Sequence, residues 1–349
     1  MNILLVIDRT LPIELAPLID QHGCILQAEG FKVDYCYAPR ANRNSPLAHQ
    51  QLAQNIIWPW VRKYAPNGYV QFIGDLPMPT TGISTNPDGH TDTAGDYACT
   101  AYYGCPDGRW TDERSNAGRP AKSGQVNLPG DGAFDQQQAP GPDSEVGQLC
   151  ARIGWLNLSR FNSRQWLRPD LVGIDWIIHC YRRYFERNWA YRLGHWKVRT
   201  LTGHGSVDRP IGFFQELGQK LGSYHYWGRD PARAEDQAPY AVTMDYKSMD
   251  NRWTQRPPSP FSVIDLTWGS YQIDDGTKRT VEPLYNAVLA VGSMGRGWDL
   301  TKVFAPNVRL GDLWFDTLTR GQSGLTPVLY GDCTLTLPSL AATTVSGQS

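Results

Sequence analysis

Short apolar runs alternate along this chain with stretches in which apolar positions recur at helical spacing. The runs predict strands at Ile3–Ile7, Lys32–Tyr37, Tyr69–Ile73, Leu149–Trp155, Lys197–Leu201, Tyr240–Met244, Ser262–Leu266, Ala287–Val291 and Val328–Tyr330. The helical stretches are Ile13–Glu29, Pro46–Tyr64, Trp166–Trp189, Pro210–Leu221 and Val308–Leu318. Pro46 and Pro210 suit first helical turns, where a missing N–H costs nothing, and Ser45 suits the cap before the first of them. This alternation predicts an α/β fold whose mostly parallel sheet is flanked by helices.

Residues 75–145 break the pattern with Gly, Pro, Asp, Asn and Thr, a loop long enough to be functional or to be ordered by something else. A boundary near residue 160 gives two packed α/β subdomains. One is 1–160, which carries the long loop, and the other is 161–338, followed by a tail at 339–349. The Ser/Thr-rich end of that tail is expected to be frayed or bound to a partner.

At 349 residues the chain can bury a full core, and 41% apolar with 19% charged residues describes a globular protein. A formal net charge of -1 supplies no basic field for nucleic acid. No apolar run reaches the ~20 residues of a membrane span, and no basic, apolar leader precedes MNILLVID. These features predict a soluble chain without a signal peptide, cytoplasmic or part of an assembled particle. Thirteen Trp and 17 Tyr fit either a broad recognition surface or a heavily packed core. Among the seven Cys there is no CxxC and no zinc-ligand spacing. Cys24, Cys36, Cys150 and Cys180 read as small core residues, while Cys99 and Cys105 are close enough in sequence to pair or to remain free.

Thr202-Gly203-His204-Gly205-Ser206 follows a predicted strand and precedes a predicted helix. Open α/β sheets place their sites at the carboxyl ends of strands, and glycines beside a histidine admit a substrate and offer N–H donors to an oxyanion. A histidine between glycines is equally at home in an ordinary turn.

With these residues the chain resembles the gingipain-type cysteine peptidases of the caspase–haemoglobinase fold. The resemblance rests on VQFIGDLPMP (70–79), DYACTAYYGCPDGRWTD (96–112), NLPGDGAFDQ (127–136), EVGQLCARI (145–153), the GHGS strand, WGSY (268–271) and LYGDCTL (329–335), in the family's order. It implies a caspase-like fold and a peptidase dyad, with the histidine at His204 and a cysteine just after the following strand. That strand, Tyr240–Met244, runs into Asp245-Tyr246-Lys247-Ser248, and no Cys lies between Cys180 and Cys333. Ser248 is the residue near that slot with nucleophile chemistry, and a serine needs stronger base activation than a cysteine. The family's proline and glycine are also replaced, by Cys333 in LYGDCTL and by Ala151 in CARI.

Acidic loops form a second candidate. Asp88 and Asp92, Asp107 and Asp112, and Asp131 and Asp135 alternate with glycine, which offers hard oxygen ligands on tight turns. A structural calcium at Asp107, Asp112, Asp131 and Asp135 is the metal expectation, although no EF-hand loop is present and Asp and Gly are common turn formers. On the helix at 166–189, Trp176, Ile177, Cys180, Tyr184 and Trp189 form a core stripe. Arg182, Arg183 and Arg187 read as a solvated basic edge, and His179 as a partly buried histidine with a partner.

Three functions compete. The first is a catalytically degenerate gingipain-like protein acting as a structural or interaction module through protein partners or self-assembly, for instance within a phage virion. The second is a peptidase using His204 with Ser248. The third is a carbohydrate- or peptide-binding surface on the aromatic-containing loop.

Overall fold

The structure is a computed structural model that describes residues 1–40, 45–77, 79–83, 95–108, 110–115, 128–135, 150–159, 170–205, 223–226, 239–246, 262–268, 284–285, 288–294, 302–303, 305–319 and 328–338. The strands of the main sheet are β1 (Asn2–Asp8), β2 (Lys32–Ala38), β3 (Tyr69–Ile73), β6 (Arg152–Leu156), β7 (Thr200–Gly205), β8 (Tyr224–Tyr226), β9 (Tyr240–Tyr246), β10 (Ser262–Trp268), β11 (Val288–Met294) and β12 (Val328–Gly331). A separate antiparallel pair joins β4 (Thr80–Ile83) to β5 (Gly95–Ala98). The helices are α1 (Ala16–Ala28), α2 (Pro46–Leu52), α3 (Trp58–Tyr64), α4 (Ala101–Gly104), α5 (Ile174–Arg192) and α6 (Leu310–Thr319).

Among the described residues ten strands form one sheet in the order β2-β1-β3-β6-β12-β11-β10-β9-β7-β8. Neighbours are parallel except β11 and β12, which run antiparallel. The sheet therefore reverses direction once. The carboxyl ends of β1, β3, β6 and β12 lie along one edge, and those of β7, β9, β10 and β11 along the opposite edge. β12 comes from the end of the chain yet sits between the two groups, where Tyr330 pairs with Trp155 of β6.

Strands buried on both faces explain the continuous apolar runs, as in Ile3–Ile7, all under 4% exposed. Phe72 stacks on Trp155 with centroids 5.0 Å apart, and Tyr102 on Phe134 at 3.9 Å. Trp155, Trp176, Trp314, Tyr102, Tyr103, Tyr181 and Tyr184 are among the largest fully buried side chains, so aromatic richness here builds core.

Several boundaries differ from expectation. The segment 46–64 is helical, with Ser45 accepting the Ala48 N–H at 3.3 Å, but a π turn at Ala53–Ile57 interrupts it. Pro59 is the reason: it lacks an N–H and its ring crowds the carbonyl four residues back, which a wider turn relieves. α5 starts at Ile174, because Gly173 adopts φ +57 and ψ -118, outside the helical region, and the predicted start at Trp166 lies outside the described residues. β7 begins three residues later than predicted and ends four later, after Trp196 packs edge-on against Tyr191. The helix expected at Pro210–Leu221 lies outside the described residues.

A buried charge network ties the last strand to two helices. Asp332, just past β12, accepts from Arg192 Nη2 at 2.7 Å and Asn188 Nδ2 at 2.9 Å, and His22 of α1 lies 3.5 Å away. Arg192 also meets Glu29. Burial alone would raise the Asp332 pKa, but Arg192 and then His22 outweigh it and hold the carboxyl well below the usual range. Burial pushes His22 down to about 4, against the pull of Asp332.

Candidate functional site

β7 and β9 lie side by side and parallel, so their carboxyl ends meet at one edge. His204 is inside β7, flanked by Met244 of β9 and Tyr226 of β8. The expected loop histidine is thus a strand residue, and Gly203 lies within the ladder between His225 and Thr243. Ser248 lies outside the described residues, two positions past the end of β9. Beneath this edge is a carboxylate that the sequence reading passed over. Asp265 of β10 is fully buried, and its Oδ1 accepts from Thr243 Oγ1 at 2.6 Å, with Ser262 Oγ 3.0 Å from the same hydroxyl.

No cysteine reaches this edge. With no Cys between 180 and 333, none belongs to β7, β9, β10 or β11. Cys180 and Cys333 are buried, and burial pushes both thiols far above their usual range. A protonated core thiol is a poor nucleophile.

The opposite edge carries a second constellation. β1 lies between β2 and β3, so the chain leaves it to one side and returns on the other, the kind of switch point at which open α/β sheets form crevices. Asp8 ends β1, and Asp75 follows β3 by two residues; both are buried. Asp8 Oδ1 accepts from the Thr10 N–H at 2.8 Å and the Thr10 hydroxyl at 2.6 Å. Its Oδ2 accepts from Arg40 Nε at 2.7 Å and the Asp75 N–H at 3.1 Å. Asn157, beyond β6, donates to Asp75 Oδ1 at 3.1 Å. Beside it Ser159 Oγ lies 3.2 Å from the Tyr181 hydroxyl. Gly74 makes the approach possible: at φ +111, an added Cβ would stand 2.4 Å from Asp8 Cβ. The result is a hydrogen-bonded polar platform whose outer face is the Arg40 guanidinium, with a side chain 40% exposed. An aspartate at the end of an apolar run was the available signal, and it also describes many ordinary strand ends.

The acidic loop is braced by its own amides. Asp112 accepts from the N–H groups of Gly130 and Gly132, Asp131 from Leu128 and Ala133, and Asp135 from Glu113 and Arg114. Asp107 pairs with Arg62 at 3.0 Å. Among the described residues no group of three His, Cys, Asp or Glu is placed to hold a metal. Asp88 and Asp92 lie outside the described residues.

The cysteine expectations need correction. Cys105 is bonded to Cys150, while Cys99 takes no part in that bond and is buried in the core. The Ala151 N–H donates to the Gly104 carbonyl at 2.8 Å, which docks Cys150 beside Cys105 with Cα atoms 4.3 Å apart. Cys150 is therefore no passive core residue, and Cys24 is exposed on α1. The basic edge of α5 is corrected as well: Arg182 is exposed, but Arg183 and Arg187 are drawn inward against Leu284 and Tyr285. His179 does have a partner, its Nε2 lying 3.3 Å from the Tyr285 hydroxyl.

No family model, curated protein or solved structure matches this chain. Among the described residues no helix is long and apolar enough to cross a membrane.

Proposed function

We propose that this chain is a caspase-like, gingipain-related module that has given up thiol peptidase chemistry and acts as a structural or interaction component of a larger assembly. One observation carries this reading: the edge where β7 and β9 end side by side, the place a histidine–cysteine dyad would occupy, has His204 but no cysteine on any strand that reaches it. The mostly parallel sheet and the adjacency of these strands support the resemblance. A self-assembling or partner-bound state, such as a virion component, follows from the same reading.

Adjacent carboxyl ends of β7 and β9 also favour a second reading, in which His204 activates Ser248. Cleavage of a mixed peptide library, with and without Ca²⁺, separates the two. No cleavage by the wild type supports the silent module, and size measurement of the native chain then tests assembly. Cleavage abolished by His204→Ala or Ser248→Ala would replace the first reading with the second.

A further inference from the structure

α5 carries Arg183 and Arg187 one turn apart, facing the helical residues Leu284 and Tyr285 ahead of β11. Arg183 Nε donates to the Tyr285 carbonyl at 3.1 Å, and its guanidinium lies 5.2 Å from the Tyr285 ring centroid. Arg187 donates through Nη2 to the Leu284 carbonyl and through Nε to the Arg183 carbonyl at 3.4 Å. Its Nη1 is buried and, among the described residues, meets no acceptor.

Other arginines that reach into the structure meet a carboxylate: Arg152 pairs with Asp312, Arg192 with Asp332 and Glu29, and Arg309 with Glu29. Among the described residues neither Arg183 nor Arg187 has such a partner. Glu186, between them in sequence, is exposed; its charge favours the Arg183 cation, but burial outweighs it. Burial pushes the Arg187 pKa down to about 9, and the charge of Arg183 adds to the effect. Removing a guanidinium from water without a counter-charge is unfavourable, and a second cation beside it makes it more so. An arrangement of this kind is relieved by an anion.

We propose that Arg183 and Arg187 bind a compact oxyanion of the phosphate or carboxylate class between α5 and residues Leu284 and Tyr285. Guanidinium forks match the spacing of two oxygens on either anion. The unmet Nη1 of Arg187 supplies the inner donor, and the buried position limits the ligand to a small anionic group. Nothing in this assignment depends on whether the His204 edge is silent.

Thermal unfolding and calorimetric titration of the full chain test the proposal, using inorganic phosphate in one series and acetate in another, with ionic strength matched by chloride. The expected result is a saturable rise in Tm with at least one of the two, and the responding anion identifies the class. Arg187→Met should weaken that binding by about tenfold or more, the size of one lost charged hydrogen bond. Arg183→Met should act in the same direction and serves alone if Arg187→Met does not fold by circular dichroism. The proposal is overturned if neither anion gives a saturable shift, or if a folded variant responds as the wild type does.

Discussion

Asp8 Oδ2 holds two partners at once, the Arg40 guanidinium at 2.7 Å and the Asp75 N–H at 3.1 Å, so β1, β3 and the segment after β2 converge on one oxygen. Asp8→Ala removes the acceptor for four donors, two of them backbone amides, and leaves Arg40 and the interior Asp75 less well paired. Loss of a partner from such a buried set costs about 3–5 kcal/mol. Arg40→Met should cost less, about 1 kcal/mol, because its side chain is 40% exposed. Urea denaturation measures both, and equal effects would show that the carboxylate is not the centre of the set.

Gly74→Ala is expected to destabilise by more than about 2 kcal/mol, since φ +111 disfavours a side chain and the new Cβ would collide with Asp8. A denaturation midpoint unchanged from wild type would sink this account of the crevice.

Stability should fall as pH drops from about 6.5 to about 4. His22 is held neutral by burial, with its pKa lowered to about 4, so the unfolded chain takes up a proton in this window and the native chain does not. The difference amounts to about 3 kcal/mol. Below that window the depressed Asp332 adds a further loss as it protonates. Urea midpoints at pH 7, 5.5 and 4 should decline, and His22→Gln should flatten the decline; an identical slope in the variant would count against His22.

Reduction should loosen the long loop. Cys105 and Cys150 are 45 residues apart, a closure worth about 4 kcal/mol in the chain-entropy view. Non-reducing peptide mapping should recover the 105–150 pair, with Cys99 alkylated only after unfolding. Recovery of a 99–105 pair instead would overturn the assignment.

The periodicity of the chain made the strands legible, because burial on both faces demands unbroken apolar runs such as ILLVI and YVQFI. Helix limits were less so: the π turn before Pro59 and the late start after Gly173 are answers to local strain that an apolar stripe does not report. The candidate residues divide along the same line. His204 stood out through its glycines, whereas Asp8 and Asp75 became a pair only when β1 and β3 were placed together. Arg183 and Arg187 looked like solvated edge because nothing in the sequence announced that residues 284 and 285 would cover them. The disulfide depended likewise on a backbone contact between residues 104 and 151.

The position of β12 has a consequence for biosynthesis. Residues 328–331 form the ribbon between β6 and β11, so every earlier strand can be made while the middle of the sheet is still open. Until that segment leaves the ribosome, the nascent chain exposes two unpaired inner edges, one at β6 and one at β11, each able to capture a strand from another molecule. Yield of the native form should therefore hinge on how quickly residues 328–331 reach the gap, and a chain stopped before residue 328 should aggregate rather than persist as a shortened fold.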